Sequence, residues 1–224
     1  MSIARLWIVT ALGLGALAGM LAPLSTVDLA YAIRLGREII ETAAIPAVDT
    51  YTFTAAGRPW VDQQWLFQVV VAAVHASAGW EGLVLLRAVL IAAIVGLVAL
   101  AAAARGVGWR TAALLAIGAL LLASPGLALR AQLLGALLFA LTLALSSLRL
   151  AWGRALWLVP VVTVAWANIH GSFVLAPLVV AWVAFEEWHA GRPMHGPLVV
   201  LGLTLLATAV TPFGPSVWAY ALSV

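Results

Sequence analysis

Long apolar runs separated by short polar joints dominate the pattern of this chain. A membrane-spanning helix needs roughly 20 consecutive apolar residues, and seven runs reach or approach that length. The pattern therefore predicts an all-α polytopic membrane protein with about seven transmembrane helices. Ser124, Pro125 and Gly126 interrupt the third run, where they are expected to kink or end its helix. The runs cover residues 6–24, 82–104, 111–129, 131–148, 155–169, 171–185 and 197–210.

One long polar stretch, residues 25–81, separates the first run from the second and holds six of the chain's eight acids. The spacing of Ser25 and Asp28 is typical of a capping box, which marks the start of a helix. Pro46 cannot continue a helix, so we expect this helix to end before it. Because the helix is short and charged, we expect it to lie at the membrane interface.

The second half of the same stretch predicts another helix. Residues 49–54 alternate between polar and apolar like an extended segment, and a turn is expected over residues 56–59. Asp62 is placed to cap a helix over residues 63–77 that ends before Gly79. A helix of only about 15 residues is short for a span, so this one is also expected to be interfacial.

Composition excludes the other classes of fold. Hydrophobic residues make up 65% of the chain and charged residues 8%, and the mean hydropathy is +1.14, so too few charges remain to cover a soluble globule. Disordered chains are polar, and membrane β-barrels show short alternating segments. The net charge of +3 comes from scattered arginines without a basic cluster, which argues against nucleic-acid binding. The absence of cysteine excludes disulfides and thiolate metal sites.

The arginines predict the orientation, because basic residues beside a span are retained in the cytoplasm. With Arg5 and the N-terminus inside, the joints after the second, fourth and sixth runs also face inside and carry five more arginines. Residues 20–22 make a poor cleavage site, so the first run is predicted to be a retained span. The outer face then receives residues 25–81, 125–130, 166–173 and 211–216.

Four outer patches resemble a known family. The first lies in the long outer loop and comprises residues 27–29, 34–39, 45–61 and 64–66; the others are residues 130–132, 166–173 and 211–214. Together they are similar to bacterial GT-C-type membrane glycosyltransferases, relatives of protein mannosyltransferases and of lipopolysaccharide glycosyltransferases that use a dolichyl-phosphate-mannose type of donor. The resemblance covers nearly the whole chain, and all four patches fall on the predicted outer face.

The resemblance implies a single GT-C-like module over residues 1–224, with seven spans and two interfacial helices in the first outer loop. It also implies a bacterial plasma (inner) membrane location and transfer of a sugar from a polyprenyl-phosphate donor to an acceptor at the outer face. The acceptor is not identified. Because such relatives usually continue well past this length, the sequence is expected to be a fragment or a reduced form.

The resemblance makes Asp28 the catalytic base. Two features depart from the family pattern: no second acid follows Asp28 closely, and Gln64 and Trp65 replace an acidic residue followed by tryptophan. Inverting transfer from a lipid phosphate needs one base for the acceptor hydroxyl and cations for the departing phosphate. The candidate phosphate-binding residues are Arg130, Arg87, Arg58 and Arg34, and the candidate substrate-binding residues are Gln132, His170, Asn168, Asp49 and Asp62.

Each candidate also has a purely structural alternative. Asp28, Asp49 and Asp62 are placed to cap helices or turns, and Arg34 stands four residues before Glu38, the spacing of a helical ion pair. Arg87 lies close enough to the end of its run to reach the interface. Arg130 suits an interfacial anchor, and His170 can bond to neighbouring backbone.

No metal-ligand set or phosphate-binding glycine loop is visible, so we expect neither a required metal nor a nucleotide-sugar donor. The main alternative function is a catalytically inactive GT-C-like scaffold that binds a lipid or a partner enzyme. A transporter is less favoured, because the centres of the runs lack polar groups and no halves repeat.

Overall fold

The computed structural model describes residues 3–24 and 27–223, and it confirms that this part of the chain is helical. The described residues form α-helices, short 3-10 turns and one isolated antiparallel bridge between Val48 and Pro59. The α-helices are α1 (Ile3–Leu21), α2 (Val27–Thr42), α3 (Trp65–Ala104), α4 (Trp109–Ala123), α5 (Ala131–Leu148), α6 (Val159–Ala167), α7 (Leu175–His189), α8 (His195–Ala207) and α9 (Val217–Ser223).

Four helices in the described residues are long and apolar enough to cross a membrane, which is consistent with a membrane protein. They are α1, α3, α5 and the segment Gly171–His189, which joins a 3-10 turn to α7. Three further apolar helices are shorter, spanning Trp109–Ala123, Ala155–Ala167 and His195–Ala207. The predicted break in the third run is confirmed, because α4 ends at Ala123 and a 3-10 turn follows over Ser124–Gly126.

The two helices predicted around Gly79 are joined into α3, which bends at that residue. Gly79 has φ 63° and ψ −155°, a conformation that is open almost only to glycine. Residues 65–78 form the first arm of α3 and residues 80–104 form the second arm. The first arm begins two residues later than predicted, because Asp62 to Gln64 form a turn in which the amide of Trp65 donates to the carbonyl of Asp62.

Helix α2 lies against the first arm of α3 at very short range. A Cβ atom on Gly36 would lie 1.9 Å from the carbonyl oxygen of Gln68, so only glycine allows this approach. Leu29 and Ile33 of α2 pack with Phe67 of α3 in the largest buried apolar cluster. Ser25 of the predicted capping box lies outside the described residues, while the end of α2 at Thr42 agrees with the predicted stop before Pro46.

The joints between helices gather at two ends of the bundle. At one, here called the arginine end, Glu186 binds Arg105 and Arg149 at 2.8 and 2.6 Å, and Glu187 binds Arg149 and Arg192. At the other, here called the loop end, the joints before α3, after α6 and after α8 meet through hydrogen bonds. The contacts thus group the joints as the arginine pattern predicts.

Candidate functional site

A polar pocket of about 290 Å³ lies at the loop end, where α2, α3 and α5 begin. Asp28 lies in the first turn of α2, Gln64 and Gln68 at the start of α3, and Arg130 and Gln132 at the start of α5. Three segments that lie far apart along the chain thus each contribute at least one polar side chain to the pocket. The other lining residues are Tyr31, Ala32, Leu35, Phe67, Leu129 and Ala131.

An ion pair forms the charged wall of this pocket. Arg130 Nη2 lies 3.1 Å from Asp28 Oδ2, and the two side chains are 45% and 66% exposed. Exposed pairs of this kind contribute at most about 1 kcal/mol, so an anionic ligand can compete for the guanidinium at little cost. Arg130 is also the N-cap residue of α5, where the positive end of the helix dipole adds to its charge.

Gln68 also lines this pocket, and its amide is bonded to the carboxyl of Asp62, which is not among the lining residues. Gln68 Nε2 donates to Asp62 Oδ1 at 2.7 Å, and both side chains are almost fully buried. In the described part of the chain, Asp62 Oδ2 and Gln68 Oε1 are buried without a hydrogen-bond partner. Burial raises the pKa of the Asp62 carboxyl to about 6, although hydrogen bonds from Gln68 and from the amide of Gln64 act in the opposite direction.

An apolar groove of about 560 Å³ meets the polar pocket at Gln132, which lines both. Its floor is the second arm of α3, and its sides are α4 and α5. The volume lies within the range of small-molecule sites, roughly 300–1,000 Å³. The other lining residues are Ile91, Ile94, Val95, Val98, Ala116, Ala119, Leu120, Leu122, Ala123, Gly126, Leu127, Leu133, Ala136, Phe139, Ala140 and Leu143.

Arg87, a predicted phosphate-binding residue, is occupied elsewhere. Its side chain is fully buried and donates to the carbonyl oxygens of Gly19 at 2.7 Å, of Pro23 at 2.9 Å and of Ala22. These carbonyls lie at and just beyond the end of α1, where a helix leaves its last acceptors without donors. The guanidinium therefore caps α1 and does not line the polar pocket.

Three further candidates lie outside the pocket: Arg34 in α2, and Asp49 and Arg58 in the loop between α2 and α3. Asp49 accepts hydrogen bonds from the amides of Tyr51 and Thr52 and from the Thr52 hydroxyl. The chain bends at Tyr51 and enters a turn at residue 53, so the predicted extended segment does not continue over residues 49–54. The Thr52 hydroxyl bond is the main cause that lowers the pKa of Asp49. The guanidinium carbon of Arg34 lies 4.9 Å from the centre of the Tyr51 ring, and Arg34 does not form the predicted ion pair with Glu38. The side chain of Arg58 is exposed.

Asn168 and His170 hold the loop end together. The buried Asn168 amide donates to the carbonyls of Val164 and Val210, and its oxygen accepts from Trp65 Nε1 at 3.0 Å. His170 Nδ1 lies 2.8 Å from the Ser172 hydroxyl, and burial lowers the pKa of the imidazole. Neither side chain lines the polar pocket, so their contacts favour a positioning role.

Of the ten candidates named from the sequence, the structure brings Asp28, Arg130 and Gln132 together in the polar pocket. Asp62 does not line the pocket, but it accepts a hydrogen bond from Gln68, which does. Sequence reasoning missed Gln68 and treated Gln64 only as a departure from a family pattern. The signal was present, since two glutamines four residues apart share one face of a helix.

In the described ranges, no group of three His, Asp or Glu side chains is arranged to hold a metal ion. Comparison of the chain with protein-family models, with curated proteins and with solved structures found no match.

Proposed function

We propose that the protein binds a polyprenyl-phosphate sugar and transfers the sugar to an acceptor hydroxyl at the outer face of a bacterial plasma membrane. The observation that carries this proposal is the meeting of an apolar groove and a polar, cation-bearing pocket at Gln132. An amphipathic lipid needs both surfaces side by side. The proposal includes the seven-span GT-C layout, in which the three shorter apolar helices also cross the membrane with the help of their flanking turns.

In this arrangement the polyprenyl chain lies in the apolar groove between α4 and α5. The phosphate binds Arg130 at the positive end of α5, in place of the present partner Asp28. Asp28 is then free to accept a proton. At 66% exposure its carboxylate is open to an acceptor that arrives from outside the membrane.

The transfer step needs one base and one departing phosphate. The acceptor oxygen attacks the anomeric carbon as its proton passes to Asp28, and the bond from that carbon to the phosphate oxygen breaks. The bonding electrons leave with polyprenyl phosphate, whose charge Arg130 stabilises. Attack opposite to the departing phosphate inverts the anomeric configuration. No acid is required, because the phosphate leaves as an anion.

Lipid binding is tested by thermal unfolding of the purified protein in detergent. Polyprenyl phosphate or its sugar conjugates should raise the unfolding temperature, since a ligand at 100 times its Kd stabilises the folded state by about 2.7 kcal/mol. Arg130→Ala should lose this effect, whereas Arg58→Ala, which removes an exposed arginine outside the pocket, should keep it. No stabilisation of the wild-type protein by any of these lipids would contradict the proposal.

A second function is favoured by one observation: Asp28 is the only acid that lines the pocket among the described residues, and it is ion-paired. A scaffold that binds the lipid without transferring its sugar would need nothing more. Transfer of a radiolabelled sugar to membrane acceptors separates the two functions. Asp28→Asn should abolish transfer and preserve lipid binding, whereas wild-type protein that binds without transferring supports the scaffold.

A further inference from the structure

We propose that Gln64 and Gln68 form a sugar-binding wall of the polar pocket, and that Asp62 is a positioning residue that holds the Gln68 amide. This inference rests on the proposed function, because it assigns the sugar of the lipid-linked ligand to one side of that pocket. The phosphate lies on the other side, at Arg130.

The composition of the pocket supports this division. One arginine and its partner Asp28 supply its only charged side chains in the described chain, while Gln64, Gln68 and Gln132 supply amides. Bare phosphate accepts hydrogen bonds and prefers cations, so it would leave the amide oxygens without partners. Sugar hydroxyls both donate and accept, which matches amide groups.

The bond between Asp62 and Gln68 fixes which atom of the amide is available. An ionised carboxylate only accepts hydrogen bonds, so Gln68 must turn its Nε2 group toward Asp62 Oδ1, at 2.7 Å. The remaining acceptor, Gln68 Oε1, is buried without a partner in the described residues. A buried acceptor left unpaired costs about 1–3 kcal/mol. Because Gln68 lines the pocket, a small shift of its side chain would bring Oε1 to a hydroxyl donor of the occupant, and that bond would relieve the cost.

Gln64 allows the clearest test. Its side chain is half-buried and lines the pocket, and no hydrogen bond to another of the described residues holds it. Replacement by methionine keeps the length of the side chain and removes both polar groups. Gln64→Met should therefore fold normally, whereas Gln68→Met also removes the donor to Asp62 and is expected to lower stability.

The experiment measures the Kd of two kinds of lipid with the same chain length: bare polyprenyl phosphate, and polyprenyl phosphate carrying glucose, galactose, mannose or arabinose. Wild-type protein should bind at least one conjugate about tenfold more tightly than the bare lipid, as expected for one or two added hydrogen bonds. Gln64→Met and Gln68→Met should bring that conjugate to the Kd of the bare lipid, whose own Kd stays unchanged. If Gln68→Met does not fold, Gln64→Met decides.

Arg130→Ala and Arg58→Ala serve as reference and control. Arg130→Ala should weaken all lipids equally, and Arg58→Ala should weaken none. Wild-type protein that binds every conjugate no better than the bare lipid, or a Gln64→Met protein that keeps the preference, overturns the sugar-binding wall and leaves lipid-phosphate binding in place. Wild-type protein that binds neither kind of lipid overturns the proposed function and this inference together.

Discussion

The surroundings of a charged side chain decide its role, and Arg87 illustrates this at the scale of one residue. Its position in an apolar run is typical of functional charges in membranes. In the fold, the guanidinium instead satisfies three carbonyls at the end of α1. We therefore expect Arg87 to contribute to stability and not to donor binding.

Arg87→Leu tests this role. Loss of the donors removes the partners of three carbonyls, of which that of Gly19 belongs to a buried residue, so the substitution should destabilise the protein by about 1–3 kcal/mol. Thermal unfolding in detergent measures the loss, with Arg58→Leu as the exposed control. At a temperature where Arg87→Leu remains folded, its Kd for polyprenyl phosphate should equal that of the wild type. A much weaker Kd would return Arg87 to the ligand site.

The buried carboxyl of Asp62 makes stability depend on pH. Its pKa rises from 3.8 to about 6 on folding, so the folded state binds an additional proton between these values. The free energy of unfolding should therefore fall as pH rises through this window, by roughly 3 kcal/mol at about 1.4 kcal/mol per pKa unit. Asp62→Asn keeps the acceptor for Gln68 and cannot ionise. The free energy of unfolding of this variant should therefore not fall with pH in this window, and at pH 8 it should unfold at a higher temperature than the wild type.

Asp49→Asn is the control for this measurement, because the sign at Asp49 is opposite. Hydrogen bonds from Thr52 and Tyr51 lower the pKa of Asp49 below 3.8, so its contribution is present at higher pH and is lost as pH falls. At pH 8, Asp49→Asn should therefore unfold at a lower temperature than the wild type. Equal pH profiles for wild type and Asp62→Asn would show that folding does not raise the pKa of Asp62. Burial, and then the negative charge of Asp62, raise the pKa of Tyr220, so Asp62→Asn should lower the pKa of Tyr220.

At the scale of helices, the polar pocket depends on how closely α2 approaches the first arm of α3. Gly36→Ala would place a methyl group 1.9 Å from the Gln68 carbonyl oxygen, so α2 must move away. Overpacking of this kind costs typically about 1–3 kcal/mol. We expect a lower unfolding temperature and weaker binding of polyprenyl phosphate, because the side of the pocket that Tyr31, Ala32 and Leu35 form moves with α2.

Gly118→Ala in α4 is the matched control for that substitution. A Cβ atom there meets no other atom within 4 Å, so alanine should leave both stability and lipid binding intact. Unchanged lipid binding by Gly36→Ala would argue that the separation of α2 and α3 does not shape the pocket. A loss of binding by Gly118→Ala would instead point to a general effect of added methyl groups.

Helices were predictable where the signal is local. Glycine and proline mark the break after α4 and the bend of α3 at Gly79, because both residues act on the backbone at their own positions. The start of the first arm was misplaced by two residues. Asp62 turns its side chain toward Gln68 in the buried interior, and the N-cap position falls on Gln64, which makes no side-chain cap.

At the scale of the whole molecule, the two ends of the bundle should face opposite sides of the membrane. The chain has no cysteine, so one introduced cysteine gives an unambiguous label. Phe53→Cys lies in the loop end and Gly153→Cys in the joint beside Arg149 and Arg154, both at exposed positions. In intact spheroplasts, a membrane-impermeant maleimide should label Phe53→Cys only, and lysis should add Gly153→Cys. The reverse pattern would invert the proposed topology.

The arginine end shows how charge also holds the bundle together. Glu186 joins the ends of α3, α5 and α7 through Arg105 and Arg149. The sequence predicted that these arginines share a side, because the positive-inside rule depends only on position along the chain. It did not predict their partners, since the two glutamates come from α7, more than 35 residues further along the chain than Arg149.

By itself, the sequence determined the helical class, the long apolar segments that are consistent with a membrane protein, the break after α4 and the grouping of the joints. These features depend on hydropathy, on helix-breaking residues and on charge along the chain, all of which are local. The tertiary structure alone decided that Asp28, Gln64, Gln68, Arg130 and Gln132 share one pocket while Arg87 caps a helix. Contacts between helices decide which face of each one is buried, and a residue's own sequence neighbourhood carries no record of the distant helix it meets.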